Sequence, residues 1–184
     1  LLSIRPRRKT LKRPADDRGI IDLEELLRLG LEDHQAGRVD RAEARYLQIL
    51  EAEPDHAAAN NYLGIAAHQT GRSDRAVQLI SKALQADPSV AKYHGNLGLV
   101  LQAQGRLDAA VACYHDALDI DPDLVDAHYN LGNARQHQGR ADEAAESYRR
   151  ALELQPEFAD AHANLGGILF ERGRLVDAAA CYEN

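Results

Sequence analysis

The strongest constraint on this chain is a sequence period of 34 residues. Prolines recur at that interval, and so do two independent sets of glycines. The prolines are Pro54, Pro88, Pro122 and Pro156, and the glycines are Gly37, Gly71, Gly105, Gly139 and Gly173 in one set and Gly30, Gly64, Gly98, Gly132 and Gly166 in the other. These markers in one register indicate an array of short units, each of which must stack on its neighbours to bury an apolar face.

The pattern within each unit predicts two helices. In the first unit, Asp22 and Glu25 have the spacing of a capping box, which predicts the start of a helix. That helix should end at Gly37, because glycine readily adopts the left-handed conformation that terminates helices. A second helix should begin near Val39 and end before Pro54, because the residue that precedes a proline is disfavoured in the helical region. The same signals recur in the later units.

The glycines of the second set fall inside the first helix of each unit. A glycine there costs about 1 kcal/mol relative to alanine. We expect the backbones of the paired helices to approach so closely at these positions that a Cβ atom would not fit.

Residues at fixed offsets match the tetratricopeptide repeat pattern. In two of the units the matches are Leu97, Gly98, Ala110, Tyr114, Ala117 and Pro122, and Leu131, Gly132, Ala144, Tyr148, Ala151 and Pro156. The chain therefore resembles the tetratricopeptide repeat family over residues 23–184. The resemblance implies an all-α fold, a right-handed superhelical solenoid of antiparallel helix pairs. The first helix of each pair would line a concave groove that binds an extended peptide or a partner helix.

We divide the chain into a basic arm, residues 1–21, and a repeat array, residues 22–184. The repeats are 23–56, 57–90, 91–124, 125–158 and an incomplete one at 159–184. The arm carries a net charge of +5, which leaves −12 for the array within the total of −7. Three interpretations of the arm stay open: a disordered leader, a segment that docks on an acidic surface such as the groove, and a targeting signal.

The acidic charge of the array disfavours nucleic acid as a partner, because binding to phosphates needs clustered Lys and Arg. No apolar run approaches the about 20 residues that a membrane span requires. We therefore expect a cytoplasmic protein that binds other proteins or peptides.

One row of polar residues recurs on the first helices. Asn96, Asn130 and Asn164 share one offset, just before the Leu-Gly pair. Asparagine is mildly unfavourable inside a helix, and its amide offers both a donor and an acceptor. We predict that these side chains are exposed and bind the backbone of an extended peptide; a merely solvated polar stripe is the alternative. The row resembles the asparagine ladder of O-linked N-acetylglucosamine transferases and their bacterial relatives.

Other candidate groove residues come from the same helix face. They are Lys92, Asp126 and Asp160 at one offset, Gln102 and Gln136 at a second, Asn133 at a third, and Asn61 and Tyr62 in the second repeat. Relatives that bind chaperone tails clamp a terminal carboxylate with Lys and Arg, but Asp126 would repel a carboxylate here. The mixed polarity with added acids favours a neutral to basic protein or peptide.

The sequence shows no catalytic constellation, cofactor motif or metal-ligand spacing, so we predict that this chain is not itself an enzyme and takes no cofactor or metal. His94, His128 and His162 lie in adjacent units, too far apart to share one ion at about 2.0–2.1 Å, and are interpreted as packing residues. Whether a larger protein that contains the chain is an enzyme stays open. The ladder favours a glycosyltransferase-like one, with this chain as its N-terminal part.

The two ends of the array differ. The first repeat carries Glu32 and Asp33 where later repeats have apolar residues, which predicts the polar outer face of a capping repeat. The last repeat keeps apolar residues that we predict to form an exposed surface: Leu165, Ile168, Leu169, Phe170 and Tyr182. Either further chain or another molecule would cover them. The alternative function is therefore a scaffold that forms homo-oligomers through this end.

Overall fold

The computed structural model describes residues 22–183, which form ten α-helices and no strand. The helices are α1 Leu23–Gln35, α2 Val39–Ala52, α3 Ala57–Gln69, α4 Ser73–Ala86, α5 Ala91–Ala103, α6 Leu107–Ile120, α7 Val125–His137, α8 Ala141–Leu154, α9 Ala159–Glu171 and α10 Leu175–Tyr182. Each odd-numbered helix packs on the helix that follows it, and each pair packs on the next. The predicted all-α array of antiparallel helix pairs is confirmed. The arm predicted at residues 1–21 lies outside the described residues.

The predicted helix limits are confirmed in the first pair. The carboxylate of Asp22 accepts hydrogen bonds from the backbone N–H groups of Glu24 (3.1 Å) and Glu25 (3.3 Å). Gly37 follows α1 with a φ of 71°, and α2 begins at Val39. The turn glycines of the other four pairs have φ between 71° and 78°, so the same left-handed turn is built in every pair.

The glycines inside the odd-numbered helices face a side chain of the following helix. A Cβ atom on Gly98 would lie 2.6 Å from Cε1 of Tyr114, and one on Gly132 would lie 2.5 Å from Cε1 of Tyr148. Both tyrosines are fully buried, and burial of an aromatic side chain is a major source of core stability. The predicted lack of room for a Cβ is confirmed. The predicted cause is wrong, because the nearest neighbour is a side chain of the following helix, a tyrosine ring at four of the five glycines and Ile80 at Gly64.

A second recurring contact lies at the loop between neighbouring pairs. Near the start of α3, α5, α7 and α9, a side-chain nitrogen donates to the carbonyl oxygen of the proline in the preceding loop. The contacts, which we call the proline seam, are Asn60 Nδ2 with Pro54 (2.9 Å), His94 Nε2 with Pro88 (3.0 Å), His128 Nε2 with Pro122 (2.8 Å) and His162 Nε2 with Pro156 (2.8 Å). The histidines therefore fix the start of α5, α7 and α9 against the loop that precedes each of these helices.

The odd-numbered helices lie on the inner side of a curved array. Helix α1 contacts α3, α3 contacts α5 and α5 contacts α7, whereas no comparable contact joins two even-numbered helices in the described range. Helices that approach one another more closely lie on the shorter, concave side of a stack. The first helix of each pair therefore lines the groove.

Asp33 lies inside the first helix pair and not on its outer face. Its side chain is 7% exposed, and its two oxygens accept hydrogen bonds from Nε of Arg38 and Nε of Arg45, both at 2.7 Å. The Arg45 and Arg38 guanidiniums hold the pKa of Asp33 below its ordinary value. The prediction that Asp33 belongs to the polar outer face is wrong, because a carboxylate with two cationic partners can be buried. Exposed, ion-paired Arg28 and Glu32 do form part of that face.

The last helix pair buries three of the five residues predicted to form an exposed apolar surface. Leu165, Ile168 and Leu169 are 4–6% exposed, since α8 and α10 cover that side of α9, and their predicted exposure is wrong. The other two are exposed, together with Leu175, an apolar residue that the last repeat also keeps, and Val176, which the sequence analysis did not identify. This C-terminal apolar patch consists of Phe170 (61%), Leu175 (59%), Val176 (84%) and Tyr182 (57%).

A concave groove as the candidate binding site

Hydrogen bonds between successive odd-numbered helices identify the inner face of the array. Asn96 on α5 donates through Nδ2 to Oδ1 of Asn61 on α3 (3.0 Å). Asn164 on α9 donates through Nδ2 to Oδ1 of Asn133 on α7 (3.0 Å). Residues that bond from one odd-numbered helix to the next lie where these helices approach, which is the groove. Asn96 and Asn164 therefore lie where successive odd-numbered helices meet.

The three ladder asparagines differ in what their amides already bind. Asn96 and Asn164 direct Nδ2 at the preceding repeat, and their Oδ1 atoms accept no hydrogen bond from the described residues. Asn130 makes no side-chain hydrogen bond within residues 22–183. All three side chains are half-buried and not exposed as predicted, and the amides of Asn96 and Asn164 reach a residue of the preceding repeat. The ladder presents three amide oxygens and, at Asn130, an open amide nitrogen.

A polar network lies at the C-terminal end of the ladder. The hydroxyl of Tyr148 is 2.7 Å from Oδ1 of Asn133 and 2.8 Å from Oε1 of Gln136. Nδ2 of Asn164 lies 3.4 Å from the hydroxyl of Tyr129. Burial raises the pKa of Tyr148, so its hydroxyl stays protonated at neutral pH and remains a donor. Asn133 thus orients Asn164 and does not itself offer a free oxygen.

Three further predicted groove residues support the fold more than they face a ligand. Gln102 accepts a hydrogen bond from the buried Tyr114 hydroxyl (2.9 Å). The ring of Tyr62 stacks on that of Tyr46, with 5.9 Å between the ring centroids. Asn61 is only 1% exposed, and its side-chain oxygen accepts the hydrogen bond from Asn96. Sequence spacing alone does not separate these supporting residues from those that reach the surface.

The charged candidates remain available to a ligand. Lys92, Asp126 and Asp160 share one offset, four residues before the ladder positions, which places them on the same helix face. All three are exposed, and none forms an ion pair within the described part of the chain. The charge therefore changes sign along the groove, from Lys92 in the third repeat to the carboxylates of the fourth and fifth.

An apolar row that the sequence analysis missed occupies the first three repeats, of which only the third carries a ladder asparagine. Leu31, Ile65 and Leu99 share the offset three residues after the ladder position, and Leu99 is 41% exposed. In the next two repeats the same offset holds Asn133 and Gly167. The i, i+3 spacing from the ladder was the signal that could have identified this row.

What the groove offers a ligand is hydrogen bonds, charge and apolar contact. No three His, Cys, Asp or Glu side chains among residues 22–183 converge as metal ligands would. None of the helices described is both long and apolar enough to span a bilayer.

Family models match most of the array. Models described as tetratricopeptide repeat match residues 27–91, 125–158 and 159–184, and one described as TPR repeat matches residues 103–139. No curated protein matches the sequence.

Solved structures share the fold. A crystal structure of MamA has a TM-score of 0.73 at 23% identity and covers 84% of this chain and 90% of its own. PilF of Pseudomonas aeruginosa has a TM-score of 0.83 at 23% identity, with 88% of this chain and 73% of its own covered. A thermophilic TPR protein of Thermus thermophilus has a TM-score of 0.74 at 22% identity, with 88% of each chain covered. At these identities the likeness concerns the fold.

Proposed function

Because this chain is an array of tetratricopeptide repeats, we propose that it is a protein-interaction module that binds an extended peptide segment in its concave groove. The observation that carries the proposal is the incomplete hydrogen bonding of the ladder at Asn96, Asn130 and Asn164. None of these open amide atoms is buried away from water among the described residues, so each can exchange its water for a ligand group. A row of accessible amides with open donors and acceptors therefore favours a ligand that presents matching groups at regular intervals.

An extended peptide fits this row better than a partner helix. Each residue of an extended segment presents a backbone N–H and a C=O, whereas a helix uses most of these groups internally. The open oxygens of the ladder accept N–H groups, and the free nitrogen of Asn130 donates to a C=O. Such bonds give affinity with little regard for the sequence of the ligand.

The predicted link to O-linked N-acetylglucosamine transferases rests on the ladder and on the repeat pattern around it. The solved structures of MamA, PilF and the Thermus protein share the fold at 22–23% identity. The proposed role is accordingly recognition of a peptide, without a transferase reaction attached to it.

Selection of binders from a displayed library of random peptides, followed by fluorescence anisotropy, tests this function. We expect Asn130→Ala to lower the affinity for the selected peptides about five-fold, which corresponds to the loss of one hydrogen bond of about 1 kcal/mol. Gln78→Ala is the matched control, because Gln78 is an exposed amide on the outer helix α4. Unchanged affinity in a variant with all three ladder asparagines replaced by alanine would contradict the proposal.

Self-association is a second candidate function, favoured by the C-terminal apolar patch. Val176 is 84% exposed, and the patch contains Phe170, Leu175 and Tyr182 as well. The opposite end of the array carries the exposed ion pairs of Arg28 with Glu25 and Glu32, which disfavour contact with an apolar surface. Two copies would therefore meet through their patches in a two-fold arrangement rather than stack head to tail.

Light scattering over a range of concentrations tests the second candidate. We expect wild-type protein to dimerise, and Val176→Asp to be monomeric at the same concentration. Leu47→Asp is the control, because Leu47 is also exposed (38%) but lies on α2, far along the chain from the patch. A wild-type monomer at all concentrations, or a dimer that Val176→Asp does not affect, would eliminate this candidate.

A further inference from the structure

We infer that the groove selects peptides in which an apolar segment adjoins a basic one, with the apolar residues over repeats one to three and Lys or Arg over repeats four and five. The inference rests on the proposed function, since it assigns ligand chemistry to the same groove. Its evidence is separate from the ladder and comes from the residues on either side of it.

The first three repeats supply the apolar part. Leu31 and Ile65 are half-buried, and Leu99 is 41% exposed on the same row. Gly95 lies one helical turn before Leu99, and a Cβ atom there would find nothing within 4 Å. The missing side chain therefore leaves open space beside an exposed leucine. An apolar ligand side chain that entered this space would bury both its own surface and the exposed side chain of Leu99.

The fourth and fifth repeats supply the acidic part. Asp126 and Asp160 are exposed and lie one turn before Asn130 and Asn164, so a peptide held by the ladder passes next to both carboxylates. Neither carboxylate has a partner in the part of the chain that the structure describes.

Three acids on the outer side of the array have a partner in the following repeat. There, the first turns of α4, α6 and α8 each place one carboxylate next to a donor from the following repeat. The pairs are Asp74 with Gln104 (2.8 Å), Asp108 with Gln138 (2.7 Å) and Asp142 with Arg172 (2.8 Å). These outer acids serve the stacking of the repeats. The inner acids, Asp126 and Asp160, do not, which leaves their charge for a ligand.

The positions of the charges also set the register of the ligand. Lys92 occupies the same offset in the third repeat and repels a basic side chain there. Neighbouring packed helices lie roughly 8–10 Å apart, and an extended peptide advances about 3.3 Å per residue. Carboxylates one repeat apart thus match two basic residues that are about three positions apart in the ligand.

Three synthetic twelve-residue peptides serve as probes. The first carries three leucines at one end and two lysines, three positions apart, at the other; the second replaces the lysines with glutamates; the third replaces the leucines with serines. Each peptide is made twice, once with the apolar half at its N-terminus and once with it at its C-terminus. The version that binds shows in which direction the peptide runs along the groove. Fluorescence anisotropy with the full chain at about 50 mM and 300 mM salt measures affinity, since screening weakens exposed ion pairs at the higher salt.

We expect the leucine-lysine peptide to bind about tenfold more tightly than either other probe at low salt. Asp126→Asn combined with Asp160→Asn should reduce the preference for lysine over glutamate to about two-fold or less, and Leu99→Ser should reduce the preference for leucine over serine. Asp119→Asn is the control, because Asp119 is an exposed acid on the outer helix α6.

Equal binding of the lysine and glutamate probes would overturn the inference, and so would a preference for lysine that survives the double substitution at Asp126 and Asp160. If the glutamate probe bound as tightly as the lysine probe and Asn130→Ala weakened it, the charge assignment would fail while the proposed function stood. If Asn130→Ala and its companions at Asn96 and Asn164 left every probe unaffected, the proposed function itself would fail.

Discussion

The asparagine ladder lies on three of the four helices that form the proline seam, and both use polar side chains, yet their bonding differs. The seam repeats one geometry, with a side-chain nitrogen 2.8–3.0 Å from a proline carbonyl oxygen at every step. In the ladder, Asn96 binds Asn61, Asn164 binds Asn133, and Asn130 binds nothing within residues 22–183. The bonding that recurs unchanged fixes each helix start against the loop before it, whereas the proposed ligand would complete the bonding that varies along the ladder.

The largest expected effect on stability comes from two glycines of α5. Gly98 lies on the side that packs against α6, and Gly95 lies on the open side of the helix. Gly98→Ala should lower the free energy of unfolding by about 1–3 kcal/mol, because its Cβ would lie 2.6 Å from the Tyr114 ring. Gly95→Ala should raise it by up to about 1 kcal/mol, since a Cβ there meets nothing and alanine favours the helix. Urea unfolding measures both. Equal effects would contradict the assignment of the two sides.

The next effect is removal of a seam contact. Asn60→Ala should cost about 1–2 kcal/mol, because Asn60 is 1% exposed and its loss leaves the carbonyls of Pro54 and His56 without this donor. Urea unfolding of the variant beside wild type gives the difference. Retained stability would show that the seam contact does not stabilise the array.

A smaller and pH-dependent effect on stability is expected at Asp33, whose ion pairs with Arg38 and Arg45 occur in the first repeat. Its pKa is lowered in the folded protein by Arg45 and Arg38, while the unfolded value is about 3.9. The ionised carboxylate therefore contributes stability that is fully present above about pH 4 and is lost as the pH falls through the lowered pKa.

Urea unfolding over a series of pH values shows whether the stability contributed by Asp33 falls as the pH falls. Asp33→Asn should be less stable than wild type at neutral pH, and the difference should shrink toward about pH 3 as wild type loses the charge. Asp119→Asn, at an exposed position, should show no such trend. A difference that stays constant or grows as the pH falls would show that the two arginines do not stabilise the ionised form.

The smallest effect on stability should come from the ladder itself. Asn130→Ala should change the free energy of unfolding by no more than about 0.5 kcal/mol, because no hydrogen bond within the described residues is lost. Compared with Asn60→Ala, this substitution separates a ligand contact from a structural one. A loss as large as that of Asn60→Ala would place Asn130 among the stacking residues.

Local signals made the fold predictable, while the site depended on neighbours distant in sequence. Asp22 and Gly37 act within a few residues of themselves, so their cap and turn could be predicted from the sequence. Asp33 was misplaced because one of its partners, Arg45, comes from the next helix. The role of Asn133 depends on Asn164, in the following repeat, which no spacing rule specifies.

The side-chain amide resonances of a ¹⁵N-labelled sample, followed by NMR as a selected peptide is added, show directly whether the ladder binds the peptide. We expect the resonances of the Asn130 amide to shift most, those of Asn96 and Asn164 to shift with it, and those of Asn60 in the seam and Gln78 on the outer side to stay in place. Saturating binding that leaves Asn130 unshifted, or that shifts Asn60 or Gln78 instead, would contradict binding by the ladder.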